Sequence, residues 1–283
     1  MNDREIVFVC DLYEEQYAGG AELTTGALIE YNKTNKILKL HSGAITASTV
    51  KNNKNKKWII GNFANLNNSV IHRLIKEVNY SILEYDYKFC IHRNPSLHSL
   101  KSGCCDCSES ERAKLINLFF YKAAHVFYMS EKQKNIYASS LKKLEEGIVL
   151  GSVFRERTLD FIDSLPKNKN NKWLIYDTEN YLKGTKNSVD HALSNGLDYQ
   201  LFKNLSHEKT LMLLSKSKGL IFLPNGEDTC PRLVIEAKLC GCEVISNEKV
   251  QHLGEEWTEN AASTMQHMRT RAKHFWDIID ESL

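Results

Sequence analysis

Short β-branched runs alternate with stretches of helical spacing along nearly the whole chain. Glu5–Cys10 (EIVFVC) reads as a buried strand. A loop with Gly19-Gly20 follows, then AELTTGALIEY at helical spacing. The pattern predicts further strands at Lys36–His41 and over residues 58–63, 80–87, 125–129 and 147–150. It predicts helices over 68–78, 109–124 and 130–141, with Val70, Ile71, Leu74 and Ile75 as one apolar face and Ser130 as an N-cap. A polar, turn-like segment, PKNKNNK (166–172), interrupts the rhythm. Beyond it come strands at Trp173–Tyr176, Tyr199–Phe202, 219–223 and Glu243–Ser246. Helices are expected over 187–195, 207–215 and 233–239, and a long last helix within 259–280.

Strands that alternate with helices of this length imply parallel sheets with helices on both faces. The expectation is an α/β protein of two doubly wound, Rossmann-like domains facing across a cleft. Residues 1–150 would form the first domain and 151–283 the second, with the last helix packing back on the first. Ligands of such sheets sit at the carboxyl ends of the strands.

A length of 283 residues accommodates two such domains. Hydrophobic residues at 42% and charged residues at 25% exclude a disordered or fibrous chain. Lys+Arg total 37 against 35 for Asp+Glu, a net charge of +2, which is not the balance of a protein held mainly by phosphate backbones. One basic run, KNNKNKK (51–57), reads first as a solvated loop and second as a polyanion contact. No apolar run reaches the roughly 18 residues of a membrane span. The polar start followed by six apolar-rich residues reads as a strand rather than a signal peptide, so a cytoplasmic location is expected.

The chemistry concentrates in GLIFLPNGEDTCPRLVIEAKLCGCEVIS (219–246). A strand enters a loop with Pro224, Gly226 and Pro231, a helix opens near Arg232 and closes at Gly241, and another strand follows. Asp228 precedes that helix and Glu236 lies within it, eight residues on. Backbone N–H groups at the helix start favour an anion such as a diphosphate. A carboxylate beside them can accept hydrogen bonds from sugar hydroxyls. Together these suit a nucleotide sugar.

This stretch resembles the acidic motif of the GT4-like ("group 1") retaining GT-B glycosyltransferases: a strand, P-S-x-x-E, seven residues, a second Glu, A-x-x-x-G and a strand. The chain has PNGED, then Glu236-Ala237 and Gly241, with Asp228 at the first acid, Glu227 one position away and Asn225 at the usual Ser. The resemblance implies that Asp228 contacts the donor sugar and Glu236 the ribose, with Glu227 and Thr229 in the donor loop. WLIYDTENYLKG (173–184) is similar to the family's cationic clamp. Lys183-Gly184 matches, Thr178 stands where the family has Arg, and Arg232 is the candidate replacement. Gly19 and Gly20 fall on the family's Gly-rich loop, which implies a donor-binding role for them. LEYDY places Tyr85 and Asp86 on the acceptor side, without the family's His. The chain would be a short form with a trimmed first domain.

The implied activity is transfer of a sugar from a nucleoside-diphosphate sugar to a hydroxyl of a glycan or lipid-linked acceptor, with Asp228, Lys183 and Glu236 as the catalytic set and no cofactor required. Two other readings stay open: transfer to a modified nucleic-acid base, and a GT-B-like binding protein that has lost its clamp. After the last strand, His252 and Trp257 take packing roles, or His252 lies near the nucleotide base.

Eight cysteines are many for a chain without a secretory signal. Cys90, His92, His98, Cys104, Cys105 and Cys107 fall within 18 residues. That density suits a structural zinc ion with Cys90, His98, Cys104 and Cys107 as ligands, a disulfide, or unliganded thiols.

Overall fold

A computed structural model describes residues 5–34, 36–141, 144 and 147–281 of the chain. The polar opening before Glu5 lies outside them. The elements are β1 (Glu5–Cys10), α1 (Gly20–Tyr31), β2 (Lys36–His41), α2 (Ala47–Asn52), β3 (Lys57–Ile60), α3 (Asn68–Glu77) and β4 (Asn79–Glu84). Then follow α4 (Pro95–Ser102), α5 (Glu111–Tyr121), β5 (Val126–Tyr128), α6 (Glu131–Ser140), β6 (Ile148–Val149) and α7 (Glu156–Ser164). The chain ends with β7 (Trp173–Tyr176), α8 (Thr185–Ser194), β8 (Tyr199–Phe202), α9 (His207–Lys216), β9 (Gly219–Phe222), α10 (Arg232–Leu239), β10 (Glu243–Ser246) and α11 (Ala261–Glu281).

The chain divides into two compact units, Met1–Val153 with Arg271–Leu283, and Phe154–Thr270. In the first, the described strands pair in parallel in the order β2-β1-β3-β4-β5-β6. Five of the six β1 residues are buried, as are Trp58, Ile59, Ile60, Ile82, Leu83 and Phe127. A strand buried on both faces has no alternation, which is why EIVFVC reads as a continuous apolar run. β2 is an edge strand with exposed and half-buried residues in turn. α3 lays Val70, Ile71 and Leu74 into this core, capped by the Asn67 side chain on Ser69 N–H. Burying each such side chain is worth about 1.5–3 kcal/mol. Ser130 Oγ accepts from Gln133 N–H at 3.1 Å and caps α6.

The last part of α11 belongs to this first unit. Trp276 Nε1 donates to Leu28 O at 2.8 Å, and Phe275 packs on Phe127 with ring centroids 4.7 Å apart. Lys57 is buried and donates to Ile279 O at 2.6 Å. The 51–57 run is therefore not a uniform solvated loop. It begins in α2 and ends in β3, and Lys56 pairs with Glu5 at 2.5 Å.

In the second unit, the described strands run in parallel in the order β10-β9-β7-β8. The chain passes from β7 to β8 on one side and returns to β9 on the other. The crevice between the carboxyl ends of β7 and β9 is thus the topological switch point of this sheet. In the first unit the equivalent point lies between β1 and β3. No described helix is long and apolar enough to cross a membrane.

Candidate donor and acceptor sites

Two loops meet at the switch point of the second unit. The loop after β7 ends in a turn, Tyr181–Lys183, capped by the Asn180 side chain on Leu182 N–H. The loop after β9 carries Pro224 to Pro231. Asn225 N–H donates to Leu182 O at 3.0 Å, and Asn225 Nδ2 donates to Tyr181 O at 2.7 Å. Asn187 Nδ2 from α8 donates to Asn225 Oδ1 at 2.8 Å. Asn225 therefore fastens the two loops together. Gly184 adopts φ +66, and a Cβ there would lie 1.8 Å from Leu223 O. Only glycine fits this close approach.

The clasp sets Lys183 against Asp228, with Nζ donating to Oδ2 at 2.7 Å. The Lys183 side chain is 36% exposed and the Asp228 side chain 16%. Asp228 is held on both backbone sides: its N–H donates to Lys249 O and its O accepts from Gln251 N–H. Gln251 Nε2 donates to Glu227 Oε2 at 2.6 Å. Thr229 is buried in the same loop. Thr178, at the missing Arg position, serves the turn: its Oγ1 accepts from Asn180 N–H. Lys249, which the sequence did not single out, sends Nζ to Asn225 O at 2.7 Å.

Arg232 and Glu236 both lie on α10, and both are buried. The Arg232 guanidinium sits 3.7 Å from the centroid of Phe154, and its Nε is 3.8 Å from Glu236 Oε1. His207, at the start of α9, places Nε2 2.8 Å from the same oxygen. Glu236 thus lies between two basic side chains. His207 had no signal in the sequence beyond being a histidine after the N-cap Ser206.

His252 is fully buried, so it is not an open contact for a base. Its ring stacks on Trp257 at 5.4 Å, and Trp257 stacks on His267 at 4.6 Å. Neither His252 nitrogen has a hydrogen-bond partner among the described residues. Burial, with the positive charge of Lys238 nearby, pushes its pKa down to about 3. The folded unit binds His252 neutral, whereas the unfolded chain protonates it near the ordinary 6.5. The resulting stability is complete above about 6.5 and is lost as pH falls toward 3. For one proton the slope is about 1.4 kcal/mol per pH unit. His252→Phe removes this dependence. Denaturant unfolding at pH 6, 5 and 4 should show the wild type losing stability relative to the variant at that slope, and parallel curves would contradict it.

In the first unit, Gly19 is the N-cap of α1 and Gly20 its first residue. Tyr85 Oη shares a 2.8 Å hydrogen bond with Thr25 Oγ1 of α1. Asp86 pairs with Lys88 at 2.6 Å and with Arg93, whose guanidinium also donates to Asn62 Oδ1 at 3.0 Å. Burial works against the ionised Asp86 carboxyl, but Lys88 and Arg93 together outweigh it and hold its pKa below the usual range. Glu84, missed from the sequence, is wholly buried beside Lys88 at 3.3 Å. Burial pushes its carboxyl up to about 8.

The eight cysteines are all free. Sulfur and nitrogen atoms of Cys90, His98, Cys105 and Cys107 lie within 4.8 Å of one another and could hold a metal ion. Cys105, not Cys104, completes the group of three sulfurs and one imidazole; Cys104 is exposed and outside it.

No protein-family model matches the chain, and no curated protein matches it. Solved structures do. The apo form of the lipopolysaccharide outer core galactosyltransferase WaaB is similar with a TM-score of 0.58 at 10% identity, covering 99% of this chain and 100% of that one. Anabaena Alr3699/HepE, in complex with UDP and glucose, gives 0.55 at 11% identity, covering 98% and 96%. An alpha-glucosyltransferase in complex with UDP and a 13-mer DNA containing a central A:G mismatch gives 0.52 at 10%, covering 99% and 100%. At these identities the likeness is one of fold: an α/β chain of parallel, Rossmann-like sheets of the GT-B type.

Proposed function

We propose that the protein is a retaining glycosyltransferase of the GT4-like kind that binds a nucleoside-diphosphate sugar in its second unit. The observation that carries this is the Lys183–Asp228 pair at the carboxyl edge of β7 and β9, beside the start of α10. A part-exposed cation and a carboxylate side by side suit a ligand that carries a diphosphate and sugar hydroxyls. Lys183 meets the diphosphate, and Arg232 adds positive charge from the buried start of α10. Backbone N–H groups of the same helix start favour the anion. Asp228 accepts from sugar hydroxyls, with Glu227 and Thr229 shaping the loop. Glu236 contacts the ribose and is held by His207.

In the transfer, the bond from the anomeric carbon to the diphosphate oxygen breaks. A bond to the acceptor oxygen forms on the same face, and the acceptor proton passes to the leaving diphosphate. Lys183 and Arg232 stabilise the charge that develops there. The chemistry takes no metal in this reading. Gly19 and Gly20 are assigned to donor binding and Tyr85 and Asp86 to the acceptor side, and a glycan or lipid-linked hydroxyl is the acceptor. The basic run that motivated a nucleic-acid acceptor is occupied at its end, since Lys56 pairs with Glu5 and Lys57 is buried on Ile279 O.

A thermal-shift screen with UDP, GDP, ADP, CMP and their sugar conjugates tests donor binding. One nucleoside diphosphate should raise the melting temperature of the wild type. Glu236→Gln is the informative variant, because it keeps the side chain's size and an oxygen that can accept from His207, whereas alanine would leave a cavity beside the buried Arg232. The glutamine variant should fold and lose most of the nucleotide-induced shift. An undiminished shift would remove Glu236 from the ribose site.

A further inference from the structure

We propose that Cys90, His98, Cys105 and Cys107 bind one structural zinc ion, and that this ion fixes the segment presenting Arg93 to Asp86. The proposal does not depend on the transferase reading.

Three of the six ligand-atom distances lie close to those around a tetrahedral ion, and all six are within 4.8 Å. Cys90 Sγ lies 3.7 Å from Cys105 Sγ and 3.7 Å from His98 Nδ1, and Cys107 Sγ lies 3.3 Å from His98 Nδ1. A tetrahedron with zinc–sulfur bonds of about 2.3 Å and a zinc–nitrogen bond of about 2.0 Å separates neighbouring ligand atoms by roughly 3.5–3.8 Å. A disulfide would need sulfurs about 2.05 Å apart. Three thiols and one imidazole are a soft, borderline set that suits zinc, and four protein ligands leave no open position. Three of the four residues are buried, which suits a structural site.

The surrounding segment has little else to hold it. Of its eight residues, α4 buries His98, while Leu100 is 66% exposed and Ile91 is 67% exposed. Apolar burial of this size does not fix a helix of two turns. The ligands come from both ends of the segment. Cys90 ends a turn after β4, His98 lies on α4, and Cys105 and Cys107 follow the positive-φ Gly103. Backbone N–H groups of His92 and Asn94 lie against Cys90 Sγ, and that of Cys107 against Cys105 Sγ. Amides aimed at sulfur are the outer-shell partners a thiolate ligand needs. Within the loop, Arg93 N–H donates to Cys90 O at 2.9 Å and Arg93 takes φ +54, an uncommon backbone for a non-glycine residue. Its guanidinium then reaches Asp86 and Asn62. An ion that anchors Cys90 and His98 would hold this turn, and Arg93 with it.

The test is metal analysis of the full chain purified without chelator, with single serine variants. The wild type should carry about one zinc per chain. Cys105→Ser and Cys107→Ser should lose it, and Cys104→Ser should keep it. Because losing a ligand can also cost the fold, the wild type is stripped and refilled with Co²⁺ as well. The tetrahedral, thiolate-bound Co²⁺ absorption should appear at one equivalent and be displaced by Zn²⁺. Chelator should lower the melting temperature of the wild type and leave Cys107→Ser unchanged. A metal-free wild type with no thiolate-to-cobalt band would overturn the proposal, as would loss of zinc in Cys104→Ser with retention in Cys105→Ser.

Discussion

Lys183→Ala is expected to weaken nucleoside-diphosphate binding by about 30- to 150-fold, which corresponds to the 2–3 kcal/mol of a hydrogen bond to a charged partner. Lys183 is part-exposed at the switch point of the second sheet, and its partner is a carboxylate. The substitution removes the cation that would meet the diphosphate and leaves the Asp228 charge to repel it. Both changes act against the ligand, so the effect should exceed that of losing a surface lysine, which is generally within about 0.5 kcal/mol. Lys183→Arg keeps the charge and should recover part of the affinity. The companion change, Asp228→Ala, removes the carboxylate proposed to contact the sugar and keeps the cation. It should leave nucleoside-diphosphate affinity within a few-fold while slowing hydrolysis of the bound sugar donor by about 100-fold, the scale of a misplaced reacting group. Calorimetric titration and a donor-hydrolysis assay read the two effects separately. Slow hydrolysis that persists unchanged in Asp228→Ala would remove the carboxylate from the chemistry.

The second large effect is on the clasp that creates the pair. Gly184→Ala puts a methyl group 1.8 Å from Leu223 O at φ +66, so the two loops must separate. The left-handed backbone costs about 1–2 kcal/mol for a non-glycine residue, and displacing the loop adds more. A total near 3 kcal/mol would lower the melting temperature of the second unit by on the order of 10 °C. Nucleotide binding should fall with it, since Lys183 is the next residue. Gly196 is the internal control. It has φ +61 with nothing within 4 Å of an added Cβ, so Gly196→Ala should show the backbone cost alone, about 1–2 kcal/mol. Equal effects of the two substitutions would mean that the close approach at Leu223 is not what holds the loops.

The strands were the most legible part of the sequence, because parallel strands buried on both faces are continuous apolar runs. EIVFVC and WLIY begin and end where the pattern places them, and so does YQLF, an edge strand of which only Phe202 is buried. Three helices were not legible. α2 buries Val50 and depends on a Thr46–Thr49 capping box instead of an apolar stripe. α4 carries the signals of a start, Asn94 as cap and Pro95 at its first residue, but buries His98 in place of an apolar face. α7 buries Leu159 and Ile162 in a stretch, between the strand predicted over 147–150 and the polar segment 166–172, for which the pattern predicts no element.

In the candidate sites, the four-residue spacing of Arg232 and Glu236 on α10 was legible and brings those two side chains together. It could not show that Glu236 is buried against His207, because that contact spans 29 residues and joins two helices. Nor could it choose between Cys104 and Cys105. Adjacent residues in a loop point different ways, and the backbone after Gly103 decides which sulfur turns inward. Glu84 carried no signal because one acid in a strand reads as its polar end. Its burial beside Lys88 is a tertiary fact.

The most direct test of a donor site in the second unit is calorimetric titration of wild type and Lys183→Ala with UDP, the nucleotide bound in the fold-similar Anabaena protein, and with GDP and ADP alongside. The expected result is saturable binding of one nucleoside diphosphate to the wild type, weakened at least 30-fold in the variant. Equal affinity in the two proteins, or no binding of any of the three to the wild type, would contradict a donor site built on Lys183 and Asp228.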